Sequence, residues 1–292
     1  MMKNLMNILV LLAISSTTLF GQRDSETIKK SFEVEKASSD FWFCLCNING
    51  TVEVEAYDGK TIELELNKQI KGRSDDDVKQ GMEDLKLLVD EGEDYVKVLM
   101  EAPNQTIREK DDPLACGWNW NGNNRRGPRY DYQFDYKIRV PKGISVKVST
   151  VNKGDLEVRN VEGNIYANNV NGDVTLENVQ GDTKAGTVNG VIEVSYVKMP
   201  KEFGSFETVN GDILIETPDD ANGKFNFQTQ WGKVYSDLDF SAKLAPKVTK
   251  ASGKRGGTMY KISNSNGYQL GKGGPSMEFE TLNGDIRIKK KK

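Results

Sequence analysis

Val170-Asn171-Gly172-Asp173-Val174-Thr175-Leu176-Glu177 is one copy of a unit that recurs through the second half of a 292-residue chain. It returns as Val161-Glu162-Gly163-Asn164, Val179-Gln180-Gly181-Asp182 and Val188-Asn189-Gly190, and Gly154, Gly163, Gly172, Gly181 and Gly190 fall nine residues apart. Further copies stand at Val209-Asn210-Gly211-Asp212 and Leu282-Asn283-Gly284-Asp285, with an early relative at Ile48-Asn49-Gly50-Thr51. Such a fixed period is the mark of a repeat architecture. Within one unit Asn-Gly tolerates positive φ and suits a tight corner, and the following residues alternate polar and apolar like a half-buried strand. Each unit therefore reads as a strand of about five residues and a turn.

Two architectures follow. Asn-Gly between alternating hydrophobics is a hairpin signal, which allows an antiparallel meander or sandwich. The other is a β-solenoid, in which each unit is one side of a coil, with Val stacked on Val inside and Asn, Gly and Asp at the corners. The 21-residue intervals from Gly190 to Gly211 and from Gly211 to Gly232 fit a coil with longer corners, and a meander has no reason to keep them. The fold class expected is all-β, a β-solenoid of short strand-turn repeats with one short N-terminal helix.

These phased Val-Asn-Gly-Asp-Val units resemble the bacterial, exported β-strand-repeat family of unknown function described as putative adhesins. The likeness is most specific from about 145 to 216 and from 276 to 288. It implies a β-helical, extracytoplasmic, non-enzymatic protein, and it brings no site residues that could be carried over. The stretches 193–207 and 218–275 depart from an even repeat, so irregular coils are expected there.

Composition narrows the chemistry. There is no histidine, which removes Ser-His-Asp and Cys-His catalysis, HExxH metalloproteases and every His-ligated metal site. A formal charge of −3 gives no reason to expect a nucleic-acid partner. Residues 1–21 read as a signal peptide: Lys3, the apolar run Leu5 to Leu12, and Gly21 as a small residue at the cleavage site. The run is too short for a spanning helix, so no transmembrane segment is expected after its removal. The mature chain should begin near Gln22 and reside in the periplasm, on the cell surface or outside the cell. There an oxidising milieu permits one disulfide among Cys44, Cys46 and Cys116. Cys44 and Cys46 share a face of one strand, so pairing of either with Cys116 is easier than pairing with each other. Cys-x-Cys without histidine or a second pair is a weak metal or redox signal.

Residues 22–140 are expected to form a strand-rich region, and 141–292 a repeat region continuing the same solenoid. A helix is expected at about 75–89, capped by Ser74, with Asp75, Asp76 and Asp77 at its positive end and Val78, Met82, Leu85 and Val89 along one face. Its expected job is to cover an end or side of the stack. The insertion 102–130 is the outlier. It carries Pro103, Pro113 and Pro128, and it gathers Trp118, Trp120, Arg125, Arg126, Arg129 and Tyr130, a set suited to stacking on sugar rings or gripping an acidic partner. These six are the candidate ligand contacts, unless the tryptophans fold back as a lid over the core. Asp155, Asp173, Asp182, Asp212 and Asp285 recur, but calcium-binding β-rolls need two glycines and a second aspartate per unit. Turn hydrogen bonding explains an aspartate after Asn-Gly. The four C-terminal lysines read as a charged edge that blocks end-to-end stacking.

The functional expectation is a non-catalytic extracytoplasmic module of the bacterial envelope, adhesin-like or structural, with no cofactor and no metal. Its partner would be a cell-surface glycan or an envelope protein. The alternatives are a polysaccharide-active β-helix enzyme using paired carboxylates, and a periplasmic sensing or maintenance protein that binds another protein.

Overall fold

The computed structural model describes residues 22–102, 105–107, 114–116, 118–120, 128–245, 248–252, 258–262 and 266–291, with backbone alone at 105–107, 118–120, 248–252 and 258–262. The expected signal segment lies outside the described residues. The chain forms two compact units, Met1–Gly163 and Asn164–Lys292.

The first unit opens with β1 (Arg23–Glu33), β2 (Trp42–Cys46), β3 (Val52–Tyr57), β4 (Thr61–Gly72) and α1 (Asp75–Asp84). It continues with β5 (Lys86–Glu91), β6 (Tyr95–Glu101), β7 (Gln105–Ile107), β8 (Trp118–Trp120), β9 (Tyr130–Pro141), β10 (Ser145–Ser149) and β11 (Leu156–Arg159). One sheet runs in the order β1-β4-β9-β3-β11 and the other β10-β2-β6-β5. β3 lies parallel between β9 and β11, and β2 lies parallel between β6 and β10. The coil made by β2 and β3 therefore sits between two coils that follow it in the chain.

β2 belongs to a continuous apolar run because both of its faces are buried. Phe43 and Leu45 point one way, and Cys44 and Cys46 the other, where they pack with Leu99, Leu88 and Leu114. The segment Leu114–Cys116 covers that second face. Cys46 is disulfide-bonded to Cys116, the Cys44 thiol donates to the Leu114 carbonyl at 3.3 Å, and Lys97 Nζ donates to the Ala115 carbonyl at 2.7 Å.

α1 begins as expected, with the Asp77 amide donating to Ser74 Oγ at 3.2 Å. It ends at Asp84 rather than near residue 89. Leu85 is already extended, and Lys86–Glu91 pairs antiparallel with β6, which satisfies backbone groups that a longer helix would have used itself. Buried Lys68 closes the helix end by donating to the carbonyls of Met82 and Leu85, both at 2.7 Å. α1 packs on β1, β4 and β9, and so covers a side of the sheet, one of the two placements expected for it.

The second unit contains β12 (Ile165–Asn168), β13 (Val174–Val179), β14 (Thr183–Gly186), β15 (Ile192–Tyr196), β16 (Phe203–Asn210), β17 (Ile213–Thr217) and β18 (Gly223–Thr229). β19 (Val234–Ser236), β20 (Phe240–Lys243), β21 (Val248–Ser252), β22 (Thr258–Ile262), β23 (Asn266–Leu270), β24 (Ser276–Asn283) and β25 (Ile286–Lys290) complete it. Two sheets, β13-β15-β17-β25-β19 and β12-β14-β16-β24-β18-β23-β20, face one another across the core. Every step from β12 to β18 and from β13 to β19 is parallel, so the solenoid reading holds and the hairpin meander is excluded for the repeats. Like stacks on like: Val174, Ile192, Ile213 and Ile286 form one buried column, and Phe206, Phe279 and Phe227 another, with ring centroids 5.3 and 5.2 Å apart. The climb is not sequential. The last coil, β24 and β25, wedges between the coil of β16 and β17 and that of β18 and β19, so Gly232 stacks on Gly284 rather than on Gly211.

Candidate functional site

The chemistry-bearing residues of the repeat converge on one corner, where they form columns along the stack. Asn189 Nδ2 donates to Asn171 Oδ1, Asn210 Nδ2 to Asn189 Oδ1 and Asn283 Nδ2 to Asn210 Oδ1, each at 2.8 Å. Threonine makes a second column: the hydroxyls of Thr187, Thr208, Thr281 and Thr229 donate to the carbonyls of Gly172, Gly190, Gly211 and Gly284 at 2.9 to 3.1 Å. The aspartates make a third. Asp173 Oδ1 accepts from the Val191 amide at 2.7 Å, Asp212 Oδ1 from the Asp285 amide at 2.8 Å, and Asp285 Oδ1 from the Lys233 amide at 2.9 Å. Each bond runs to a neighbouring coil, not back into the same turn. Burial pushes the Asp212 carboxyl up, but the Asp285 amide and the Arg287 guanidinium outweigh it and hold the carboxyl below its ordinary range.

The glycines serve the same corner for a reason other than their turn geometry. Gly50 has φ 124°, whereas Gly190, Gly211, Gly232 and Gly284 lie outside the left-handed region. A Cβ on Gly211 would stand 1.8 Å from the Gly190 carbonyl oxygen, and one on Gly284 would stand 1.8 Å from that of Gly211. Backbone meets backbone between coils, and only glycine leaves room. The threonine column escaped the sequence reading, although Thr stands directly before Val-Asn-Gly or its variant at 187, 208, 229 and 281.

Beside this corner the outward face of β12, β14, β16, β24, β18 and β23 holds a groove of about 780 Å³. Asn168, Gly186, Glu207, Glu280 and Gln228 stand side by side across its floor, in register from strand to strand. Gly186, an outward position without a side chain, deepens it. An apolar row flanks this floor: Val188, Val209 and Leu282 are 39%, 38% and 39% exposed. At the corner of the next coil, Trp231 replaces the asparagine of the ladder and is 74% exposed.

Of the six contact residues expected from the sequence, Arg125 and Arg126 lie outside the described residues, and for Trp118 and Trp120 only the backbone is described, as β8 paired antiparallel with β7. Arg129 is exposed. Tyr130 is buried: its ring packs on Gly81 of α1, and its hydroxyl donates to Asp84 Oδ2 at 2.9 Å. Burial pushes its phenol well above the ordinary range, and Asp84 adds to the shift. No helix among the described residues is long and apolar enough to cross a membrane, and these residues contain no cluster of three metal-ligating His, Cys, Asp or Glu side chains.

Comparison with known proteins finds a likeness in the repeat region. Residues 142–268 match the Toastrack DUF4097 family model, in line with the resemblance to a β-repeat family of unknown function that the phased Val-Asn-Gly units carry. No curated protein matches the chain. Among solved structures, the chain is similar to a putative cell adhesion protein from Clostridium sporogenes at 12% identity and a TM-score of 0.46, with 92% of this chain and 100% of that one covered. It is also similar to a putative lipid binding protein from Parabacteroides distasonis at 8% identity and a TM-score of 0.20, with 90% and 97% covered.

Proposed function

We propose that this protein is a non-catalytic, extracytoplasmic binding or structural module of the bacterial envelope, adhesin-like in its use of an exposed strand face. One observation carries the reading: the recurring aspartates of the repeat, the carboxylates on which a polysaccharide-cleaving reading rests, are engaged between coils. Asp173, Asp212 and Asp285 hold amides of neighbouring coils, and the asparagine and threonine columns bond carboxamides and carbonyls. A carboxylate already committed to backbone amides is a poor candidate for moving a proton to a leaving group. The residues left open to solvent beside the corner form a groove with an exposed apolar row, a surface that can make contact with a ligand. The test is protease digestion of intact cells against lysed cells, followed with antibody to the mature chain, together with a reducing-end assay on envelope polysaccharides. Digestion on intact cells without release of reducing ends is the expected result. Product release that vanishes when single aspartates are replaced would establish the enzyme instead.

A further inference from the structure

The two units present contrasting outer faces. On the first, a depression of about 660 Å³ is lined by charges of alternating sign that neutralise one another: Lys29 meets Glu65 at 2.8 Å, and Arg139 meets Glu63 at 3.0 Å. On the second, Glu207 and Glu280 are the only ionisable residues among the described lining of the groove. They stand directly opposite one another on adjacent parallel strands, a placement that costs stability through like-charge repulsion. Their bonds are to neutral groups: Ser205 Oγ donates to Glu207 at 3.3 Å, and Gln228 Nε2 donates to Glu280 at 2.8 Å. Parallel to this pair runs the exposed row Val188, Val209 and Leu282. The groove therefore joins an unneutralised negative floor to an apolar wall.

Its length is set by the sheet. Five strand-to-strand steps separate β12 from β23, and at ~4.8 Å per step they span about 24 Å, the length of roughly seven extended residues. We infer that this groove docks an extended, basic segment of a partner protein, with lysine or arginine side chains over Glu207 and Glu280 and apolar side chains on Val188, Val209 and Leu282. The inference rests on the binding-module reading above and assigns that module its partner class. An acidic or phosphate-bearing ligand is disfavoured, because the described lining offers it no cation.

The experiment is calorimetry on the mature full chain with capped heptapeptides of alternating Lys and Val, alternating Glu and Val, and a neutral glycan oligomer, at low and at physiological salt. The lysine peptide should bind at least tenfold more tightly than the glutamate peptide, and its affinity should fall with salt. The double variant Glu207→Gln, Glu280→Gln should lower that affinity at least tenfold, while Glu63→Gln on the first unit leaves it unchanged. Because both groove glutamates are exposed, these variants fold, and far-ultraviolet circular dichroism confirms it. Equal affinity for the two peptides, or indifference to the double variant, overturns the proposal. Binding of the glycan but not the lysine peptide would overturn the partner class while leaving the binding module standing, and failure of every ligand would count against both.

Discussion

Gly211→Ala tests the stacking of the corner. The new Cβ would lie 1.8 Å from the Gly190 oxygen, so the two coils must part by about 1.4 Å against a rung spacing of ~4.8 Å. Several bonds cross that gap: the Gly190 amide to the Asn210 carbonyl at 3.0 Å, the Asn210 amide to the Val188 carbonyl at 2.8 Å, the Asn210 to Asn189 carboxamide bond at 2.8 Å, and Thr208 to the Gly190 carbonyl at 3.1 Å. Overpacking costs roughly 1–3 kcal/mol, and each weakened hydrogen bond costs up to about 1 kcal/mol, so partial relaxation leaves a loss of about 3–5 kcal/mol. For a unit of this size that lowers Tm by roughly 10–20 °C. Gly186→Ala is the control. Its nearest atom is Asn168 Oδ1 at 2.9 Å, the end of a side chain that can turn away, and the expected cost is below about 1 kcal/mol. Urea denaturation of both variants, read by circular dichroism, gives the comparison. If Gly211→Ala loses no more than Gly186→Ala, glycine is not needed for the close approach of coils.

Other outcomes follow from the first unit and the buried phenols. The Cys46–Cys116 bond closes a loop of sequence separation 70, so Cys46→Ser with Cys116→Ser should lower stability by up to about 4 kcal/mol; an unchanged denaturation midpoint would show that the segment at 114–116 is held without it. Stability should fall above about pH 10, by about 1.4 kcal/mol per pH unit for each tyrosine held neutral. Burial pushes the phenols of Tyr136 and Tyr196 well up, so the unfolded chain loses protons that the folded one keeps. Lys68 acts with the opposite sign in the window just below its ordinary value: burial lowers its ammonium, so there the unfolded chain binds the additional proton. Tyr136→Phe with Tyr196→Phe should flatten the alkaline decline, and an unaltered pH profile would refute the assignment. Tyr136→Phe alone should hold or raise stability at neutral pH, because its buried hydroxyl has no hydrogen-bond partner among the described residues.

The stack was legible because two independent signals agreed, the nine-residue glycine period and the alternation that buries Val174, Leu176, Ile192 and Val194. The order of the coils was not. Every coil offers much the same corner chemistry to its neighbours, so nothing in Thr281-Leu282-Asn283-Gly284 says that it stacks between Thr208-Val209-Asn210-Gly211 and Thr229-Gln230-Trp231-Gly232. In the sequence an Asn-Gly pair speaks only for turn conformation, whereas the close carbonyl contacts of these glycines arise once coils are stacked. The end of α1 was missed because Leu85 and Val89 fit a helical face as well as a strand, and pairing with β6 decides between them. The choice of Cys46 over Cys44 was likewise beyond the sequence, since both thiols share one face of β2 and the path of Leu114–Cys116 selects the partner. The groove had no sequence signal of its own: Gly186, Glu207 and Glu280 are far apart in the chain and become neighbours only through the parallel register.

The central claim, a stacked-coil binding module working outside the cytoplasm, is tested most directly by the intact mass of the protein isolated from its own cells after denaturing alkylation. The account predicts a chain beginning near Gln22 with a single alkyl group, on Cys44, because Cys46 and Cys116 are joined. A chain that retains residues 1–21 and carries three alkyl groups, one on each cysteine, would place the protein in a reducing compartment and contradict the account.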